Sequence, residues 1–171
     1  REQSTFFYCV AKKLLPQWFL DDVRSARLSV CDLGCAEGEG VDILGELFPQ
    51  SRMIGSDVSD AALERARRYY PQYEFVQADI NHLPFNADVM FTSNTLEHFH
   101  EPNCIIENVL PHCEKYFVML IPFREFERID EHFYTFDYNS FPLNRGKFSL
   151  VYYKEIDCTD MEGTQWPGPE I

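Results

Sequence analysis

The sequence predicts an α/β fold, a doubly wound and mostly parallel sheet with helices on both faces. Three observations carry that expectation. Short apolar segments alternate with helix-patterned ones, the signature of β-α-β units with right-handed crossovers. The first apolar segment, residues 28–33, runs into the small-residue turn Gly34-Cys35-Ala36-Glu37-Gly38. Acids then close three successive strands: Asp32, Asp57 and Asp79. Ligands of open α/β sheets bind beyond the carboxyl ends of the strands, so Asp32, Asp57, Asp79 and Ser93 are expected along one rim.

Each element has a local reason. Phe6, Phe7, Val10, Leu14 and Trp18 recur at near-helical spacing, interrupted by Pro16, and predict one or two short amphipathic helices before the first strand. The stripe Phe6, Phe7, Val10 and Leu14 reads as core packing, with a lid over the site as the alternative. Residues 38–48 form the next helix, with Val41, Leu44 and Phe48 on one face and Pro49 just past its end. A short strand follows at 52–56. Ser59 is placed to cap a helix that Pro71 stops, and Asp60 suits its positive start. Strands are expected at 73–77, 88–93 and 115–121, with a helix from Pro102 to about Leu110 between the last two. Residues 148–156 carry a longer strand pattern, and Gln165-Trp166-Pro167-Gly168-Pro169 a turn. No repeat or linker divides the chain. We expect one domain over 1–171, with a helical cap at 1–27 and a substrate-side insertion at 123–145.

Bulk composition narrows the function classes. The 171 residues are 45% hydrophobic and 15% aromatic, enough for a sizeable core and against disorder. The net charge of −13 repels phosphate backbones and anionic lipid heads, which disfavours nucleic-acid and membrane partners. No apolar run approaches the roughly 18–20 residues of a membrane span. The six cysteines form no C-x-x-C pair. Cys104, His112 and Cys113 lack zinc-site spacing, so reduced thiols of a cytoplasmic protein are expected and no metal site.

The turn after the first strand points to a nucleotide-like cofactor. Gly34 and Gly38 have no Cβ, so the chain turns there and a ligand meets the backbone. Free N–H groups at the following helix start can face a negative group. An acid about twenty residues beyond such a turn is placed to accept hydrogen bonds from a ribose diol, which is the place of Asp57. An acid after the next strand, Asp79, can accept from an adenine amino group, and Asp32 can lie near the cationic end of a ligand.

Asp32-Leu33-Gly34-Cys35-Ala36-Glu37-Gly38, with Asp57, Gln77-Ala78-Asp79-Ile80 and Thr92-Ser93-Asn94-Thr95-Leu96-Glu97-His98, resembles the class I S-adenosylmethionine-dependent methyltransferases, closest to their small-molecule branch. The resemblance covers about residues 28–121, and more loosely His132-Phe133-Tyr134-Thr135-Phe136. It implies S-adenosyl-L-methionine as cofactor. Gly34, Cys35, Ala36 and Gly38 would cradle its methionine part, Asp57 would bind both ribose hydroxyls, and Val58 would pack on adenine. Asp79 would accept from adenine N6 and the Ile80 N–H would donate to a ring nitrogen. Ser93 and Asn94 would lie under the methionine, near the transferred methyl. It also implies the strand order 3-2-1-4-5-7-6, with 148–156 as one of the closing antiparallel strands and the other following Ile171. Ala36 departs from the family turn, whose middle residue is glycine.

The implied reaction is in-line displacement of the sulfonium methyl by a small-molecule nucleophile. His98 and His132 are the candidate bases for an oxygen nucleophile, because histidine takes a proton near neutral pH. His82, His100 and His112 read as surface residues. Two rival readings remain at this point. A nicotinamide-dependent oxidoreductase would want G-x-G-x-x-G, which Gly34-Cys35-Ala36-Glu37-Gly38-Glu39-Gly40 does not fit. A non-catalytic domain of the same fold would use its surface to bind a partner.

Overall fold

Parallel pairing of five strands sets the frame in the computed structural model, which describes residues 2–164 and 168–171. Two helices come first, α1 (Glu2–Leu14) and α2 (Gln17–Ala26). Pro16 is the N-cap of α2, a position where its missing N–H costs no helical bond. The alternation follows: β1 (Val30–Leu33), α3 (Glu39–Leu47), β2 (Met53–Asp57), α4 (Asp60–Tyr69), β3 (Glu74–Gln77), β4 (Ala87–Ser93), α5 (Pro102–Val109) and β5 (Cys113–Leu120). The sheet order is β3-β2-β1-β4-β5, parallel throughout. Ser59 caps α4 as expected, its hydroxyl accepting from the Ala62 N–H at 3.3 Å.

The pleat of β1 divides the core. Val30 and Asp32 point to one face, Cys31 and Leu33 to the other. Val30 packs with Phe7, Phe19, Val23, Leu44 and Phe48, so α1, α2 and α3 share a face. Cys31 and Leu33 pack with Ile105, Ile106 and Val109 of α5 on the opposite face. Phe7 and Val10 of the N-terminal stripe are buried, each 2% exposed, in line with the core reading. None of the six cysteines is in a disulfide. No helix among the described residues is long and apolar enough to cross a membrane.

The C-terminal quarter corrects the sequence reading. Residues 148–156 do not form one strand. β6 (Asn144–Arg145) and β7 (Phe148–Ser149) make a small antiparallel pair, and β8 (Ile156–Asp157) pairs with β9 (Pro169–Glu170). Neither pair joins the five-stranded sheet, so the order ends at β5 and the expected 7-6 strands are absent among the described residues. Alternating side chains lay out a face, but only a neighbour's N–H and C=O groups make a ladder. Residues 150–155 are exposed and make other bonds: the Leu150 N–H donates to the Leu143 carbonyl at 2.9 Å, and the Tyr152 hydroxyl to the Leu14 carbonyl at 2.9 Å. The chain end runs antiparallel to the residues just past β5, where Ile121 and Ile171 exchange two backbone bonds of 3.1 Å. The turn expected over 165–169 falls partly on residues 165–167, outside the described residues.

Helix α1 lies close to the first turn of α3, and Gly40 is what permits the approach. A Cβ on Gly40 would stand 2.2 Å from Cζ of the Tyr8 ring. Replacing it therefore forces α1 outward. Gly40→Ala is expected to lower stability by about 1–3 kcal/mol, the usual range for overpacking. Urea denaturation of the two proteins measures it, and equal midpoints would refute the packing argument.

Candidate functional site

The turn after β1 is built on left-handed backbone. Gly34, Ala36 and Gly38 have φ of +76°, +46° and +91°. Glycine adopts this region without penalty, whereas an alanine there costs roughly 1–2 kcal/mol. Two sets of bonds hold the turn in place. The Gly34 and Cys35 N–H groups both donate to the Ser56 carbonyl, at 2.8 and 3.0 Å. The Ala36 N–H donates to Oδ2 of Asp57 at 2.9 Å, and the other oxygen of that carboxylate accepts from the Ser59 N–H at 2.8 Å. The acid at the end of β2 thus braces the turn at the end of β1.

The neighbouring rim is open. Val58, directly after Asp57, is 70% exposed, an apolar side chain at a strand end with nothing over it. The Ala78 N–H donates to the Asp57 carbonyl at 3.0 Å, which brings Asp79 and Ile80 alongside. Asp79 is exposed, and the Asn81 backbone N–H that it accepts at 2.8 Å holds its pKa below the usual carboxylate range. Asp57, Val58, Asp79 and Ile80 therefore share the carboxyl-end rim of β2 and β3.

A cavity of about 240 Å³ lies next to that rim, under α1. Gly34, Cys35 and Ala36 form one wall, Ser93 and Asn94 at the end of β4 another, and His98 and His132 the far side. These seven sequence-predicted residues thus meet around one space. Asp32 and Gly38 are not in its lining. Asp32 is fully buried, and the hydroxyl of Tyr8, which does line the cavity, donates to its Oδ1. Its Oδ2 is buried with no hydrogen-bond partner. Burial pushes the Asp32 carboxyl up to about 7, against the lowering effect of the Tyr8 bond and helped by the charge of Asp57.

The far side is held by the segment after β5. The Phe133 and Tyr134 N–H groups donate to the Glu97 carbonyl at 2.8 and 3.2 Å, which folds residues 123–136 back over the single turn Leu96–His98. His132 is thereby buried, 8% exposed. Its Nδ1 stands 2.6 Å from Oε2 of Glu125, a carboxylate whose Oε1 accepts from the Ile129 N–H. Nδ1 of His98 stands 2.9 Å from the Glu131 carbonyl. With acceptors at both Nδ1 atoms, the working nitrogen of each ring is Nε2. Of the histidines read as surface residues, His82 and His100 are exposed and His112 is half-buried.

Residues 24–131 match the model of a family described as a methyltransferase domain. The chain belongs to that family. Among curated proteins, trans-aconitate 2-methyltransferase of Rhodopseudomonas palustris (strain BisB18) is 38% identical over 85 residues, 48% of this chain and 32% of the relative. The protein of the same name from Azoarcus sp. (strain BH72) is 33% identical over 104 residues, 60% of this chain and 40% of the relative. The chain spans about a third of the length of the curated relatives it matches. Two solved structures show the fold. The plantazolicin methyltransferase BpumL, in complex with a triazolic desmethylPZN analog and SAH, matches with a TM-score of 0.58 at 19% identity, over 71% of this chain and 48% of that one. The magnesium protoporphyrin IX methyltransferase ChlM from Synechocystis PCC 6803, with bound SAH, matches with a TM-score of 0.53 at 19% identity, over 64% of this chain and 57% of that one.

Four site residues of this methyltransferase domain escaped the sequence reading: Tyr8, Glu97, Glu125 and Glu170. Glu97 is 0% exposed, and neither of its carboxylate oxygens has a hydrogen-bond partner. Burial pushes its carboxyl up to about 8, and the charge of Glu125 adds to the rise. Glu170 arrives with the chain end and accepts from the Asn94 side-chain amide at 3.3 Å. Burial, then the charge of Glu97, holds its carboxyl well above the usual range. Only the Leu96-Glu97-His98 motif carried a signal for any of them. A glutamate in so acidic a chain otherwise reads as solvated.

Asp32 has a consequence for stability. Its folded pKa of about 7 lies above the ordinary aspartate value of 3.8, so the folded domain binds more protons than the unfolded chain between those two values. Its contribution to stability therefore falls as pH rises through that window. Asp32→Asn is expected to remove this loss, so that the variant gains on the parent between pH 4 and pH 7. Denaturation midpoints at the two pH values check it, and parallel curves would show that Asp32 titrates normally.

Proposed function

We propose that this domain binds S-adenosyl-L-methionine along the carboxyl-end rim and transfers its methyl group to a small-molecule acceptor held in the cavity under α1. The observation that carries the reading is the continuity of the two regions. The turn at Gly34–Ala36 is both a wall of the cavity and, through Ala36, bonded to Asp57 on the open rim. A ligand with one end in each region would lie across the turn. Its adenosine would take the rim: Asp57 for the ribose hydroxyls, exposed Val58 for the adenine face, Asp79 for N6 and the Ile80 N–H for a ring nitrogen. Its methionine would follow Gly34, Cys35, Ala36 and Gly38 toward Ser93 and Asn94. Asp32 would act through Tyr8, as a carboxyl that becomes an anion when a cationic group approaches.

In-line displacement asks the protein mainly to align a nucleophile with the methyl and to keep water out. The cavity under α1 suits both demands. His98 and His132 would act on the acceptor at Nε2, from the side opposite the turn. The relatives' named acceptor, trans-aconitate, is a tricarboxylate. The described residues lining this cavity include Glu97 and Glu131 and no Lys or Arg, so its own side chains offer no positive charge to such an anion beyond what the histidines carry. Support for the activity comes from the family and from the SAH-bound structures of the same fold.

Calorimetry with S-adenosylhomocysteine tests the reading. One site per chain is expected. Asp57→Ala should weaken binding by about 1.5–3 kcal/mol, the worth of hydrogen bonds to a charged group. No binding by the parent chain would favour the partner-binding module, and an Asp57→Ala variant of equal affinity would remove that residue from the ribose.

A further inference from the structure

Glu97, His98 and His132 bring one ligand atom each to within 4.8 Å of one another. Oε1 of Glu97 is the shared vertex, 3.9 Å from Nε2 of His98 and 3.9 Å from Nε2 of His132. We propose that these three side chains form a binding site for a divalent transition-metal ion, with an open coordination position on the cavity. Nothing in the family match or the relatives' names assigns a metal to this chain.

Three observations support the site. The first is the orphaned carboxylate. Glu97 is 0% exposed and neither carboxylate oxygen has a hydrogen-bond partner, a costly state for an acid unless a cation completes it. The second is the aim of the imidazoles. Glu125 carboxylate on Nδ1 of His132 and the Glu131 carbonyl on Nδ1 of His98 put the N–H on the outer nitrogen of each ring. Metal-ligating histidines are oriented in this way, by a carboxylate or carbonyl at the second nitrogen. The third is the surrounding charge. Glu125, 8% exposed at its side chain, stands 2.6 Å from Nδ1 of His132, and Glu170, 0% exposed, accepts from the side-chain amide of Asn94 on the same cavity, so two further acidic side chains stand beside the three ligands.

Distances and donor type define the ion. Ligand atoms bonded at about 2.0–2.1 Å to a tetrahedral centre lie about 3.4 Å apart. Each Glu97–histidine pair has to close by about 0.5 Å, within the reach of a side-chain rotation. Two imidazoles and one carboxylate suit zinc, cobalt, manganese or iron in the divalent state better than magnesium or calcium, which prefer oxygen ligands. Cys35 lines the same cavity, but its sulfur is not in the group of ligand atoms that lie within 4.8 Å of one another, which is Glu97, His98 and His132. With the ion bound, Nε2 of both histidines is coordinated, so at the open position the ion rather than the imidazoles meets the acceptor. A cation there offsets the glutamates and accepts a hydroxyl or carboxylate oxygen, which makes an oxygen acceptor, anionic ones included, compatible with this cavity. That last step rests on the methyl-transfer reading, whereas the site itself does not.

Cobalt(II) is the probe, titrated into the whole chain and followed by visible absorption and by calorimetry. The expected result is one equivalent bound, with a spectrum of nitrogen and oxygen ligands and no sulfur-to-cobalt charge-transfer band. Glu97→Gln and His98→Ala should each weaken binding at least tenfold. Glu125→Gln, a positioning change, should weaken it by about 10–100-fold. His112→Ala, on the far end of the sheet beside Asn86, should leave it unchanged. Circular dichroism confirms that each variant is folded, and Glu97→Gln is neutral and close in shape to the parent. Substoichiometric binding, a thiolate band, or an affinity unmoved by both Glu97→Gln and His98→Ala overturns the site. Calorimetry with S-adenosylhomocysteine on the same sample separates the two proposals: its binding without cobalt sinks the metal site alone, and cobalt binding without it sinks the methyl-transfer reading and leaves the site standing.

Discussion

The parallel register of β1 with β2 on one side and β4 on the other is the constraint on which the rest depends. It pairs Leu33 with Ser56 and with Thr92, so three strands end at one level. The Ser56 carbonyl is then at hand for the Gly34 and Cys35 N–H groups, and the turn has a fixed floor. Asp57 and Ser93, one step further along their strands, fall on either side of it. A slip of one residue would turn Asp32 away from Tyr8 and move Cys31 into its place. Every contact described at the site inherits its position from this alignment.

A second theme is charge kept away from water. Asp32, Glu97 and Glu170 are each 0% exposed, in a chain whose net charge is already −13. Burial raises the pKa of all three. Asp32 has the Tyr8 hydroxyl and Glu170 the Asn94 amide, but Glu97 has neither. Hydrophobic packing alone would be served better by leucine at these positions. Buried acids with so few partners are more common where a ligand completes them.

Much of this was legible in the sequence. The alternation of apolar segments and helical stripes located every strand of the main sheet to within a few residues, and most plainly the inner strands β1, β2 and β4, which are buried almost throughout and have to be largely apolar. The turn and the Asp57 and Asp79 strand ends were legible for the same reason, since their spacing follows from the length of a β-α unit. Residues 148–156 misled because only Phe148-Ser149 finds a partner strand, β6, whereas Leu150-Val151-Tyr152 has strand-like side chains and joins no ladder. Tyr8 was invisible for a different reason. Its place depends on the close approach of α1 to Gly40, a contact between two elements that neither one announces. Glu97, Glu125 and Glu170 converge from three separate parts of the chain, and only the fold brings them together.

The brace between Asp57 and the Ala36 N–H bears on the cost of recognition. A carboxylate waiting in solvent samples several rotamers and must be frozen when a guest arrives. Here two backbone donors already hold both oxygens, so that loss of freedom is met when the chain folds rather than at the moment of encounter. The rim is in this sense set before it is used, and a guest would be met by an edge whose shape does not have to change.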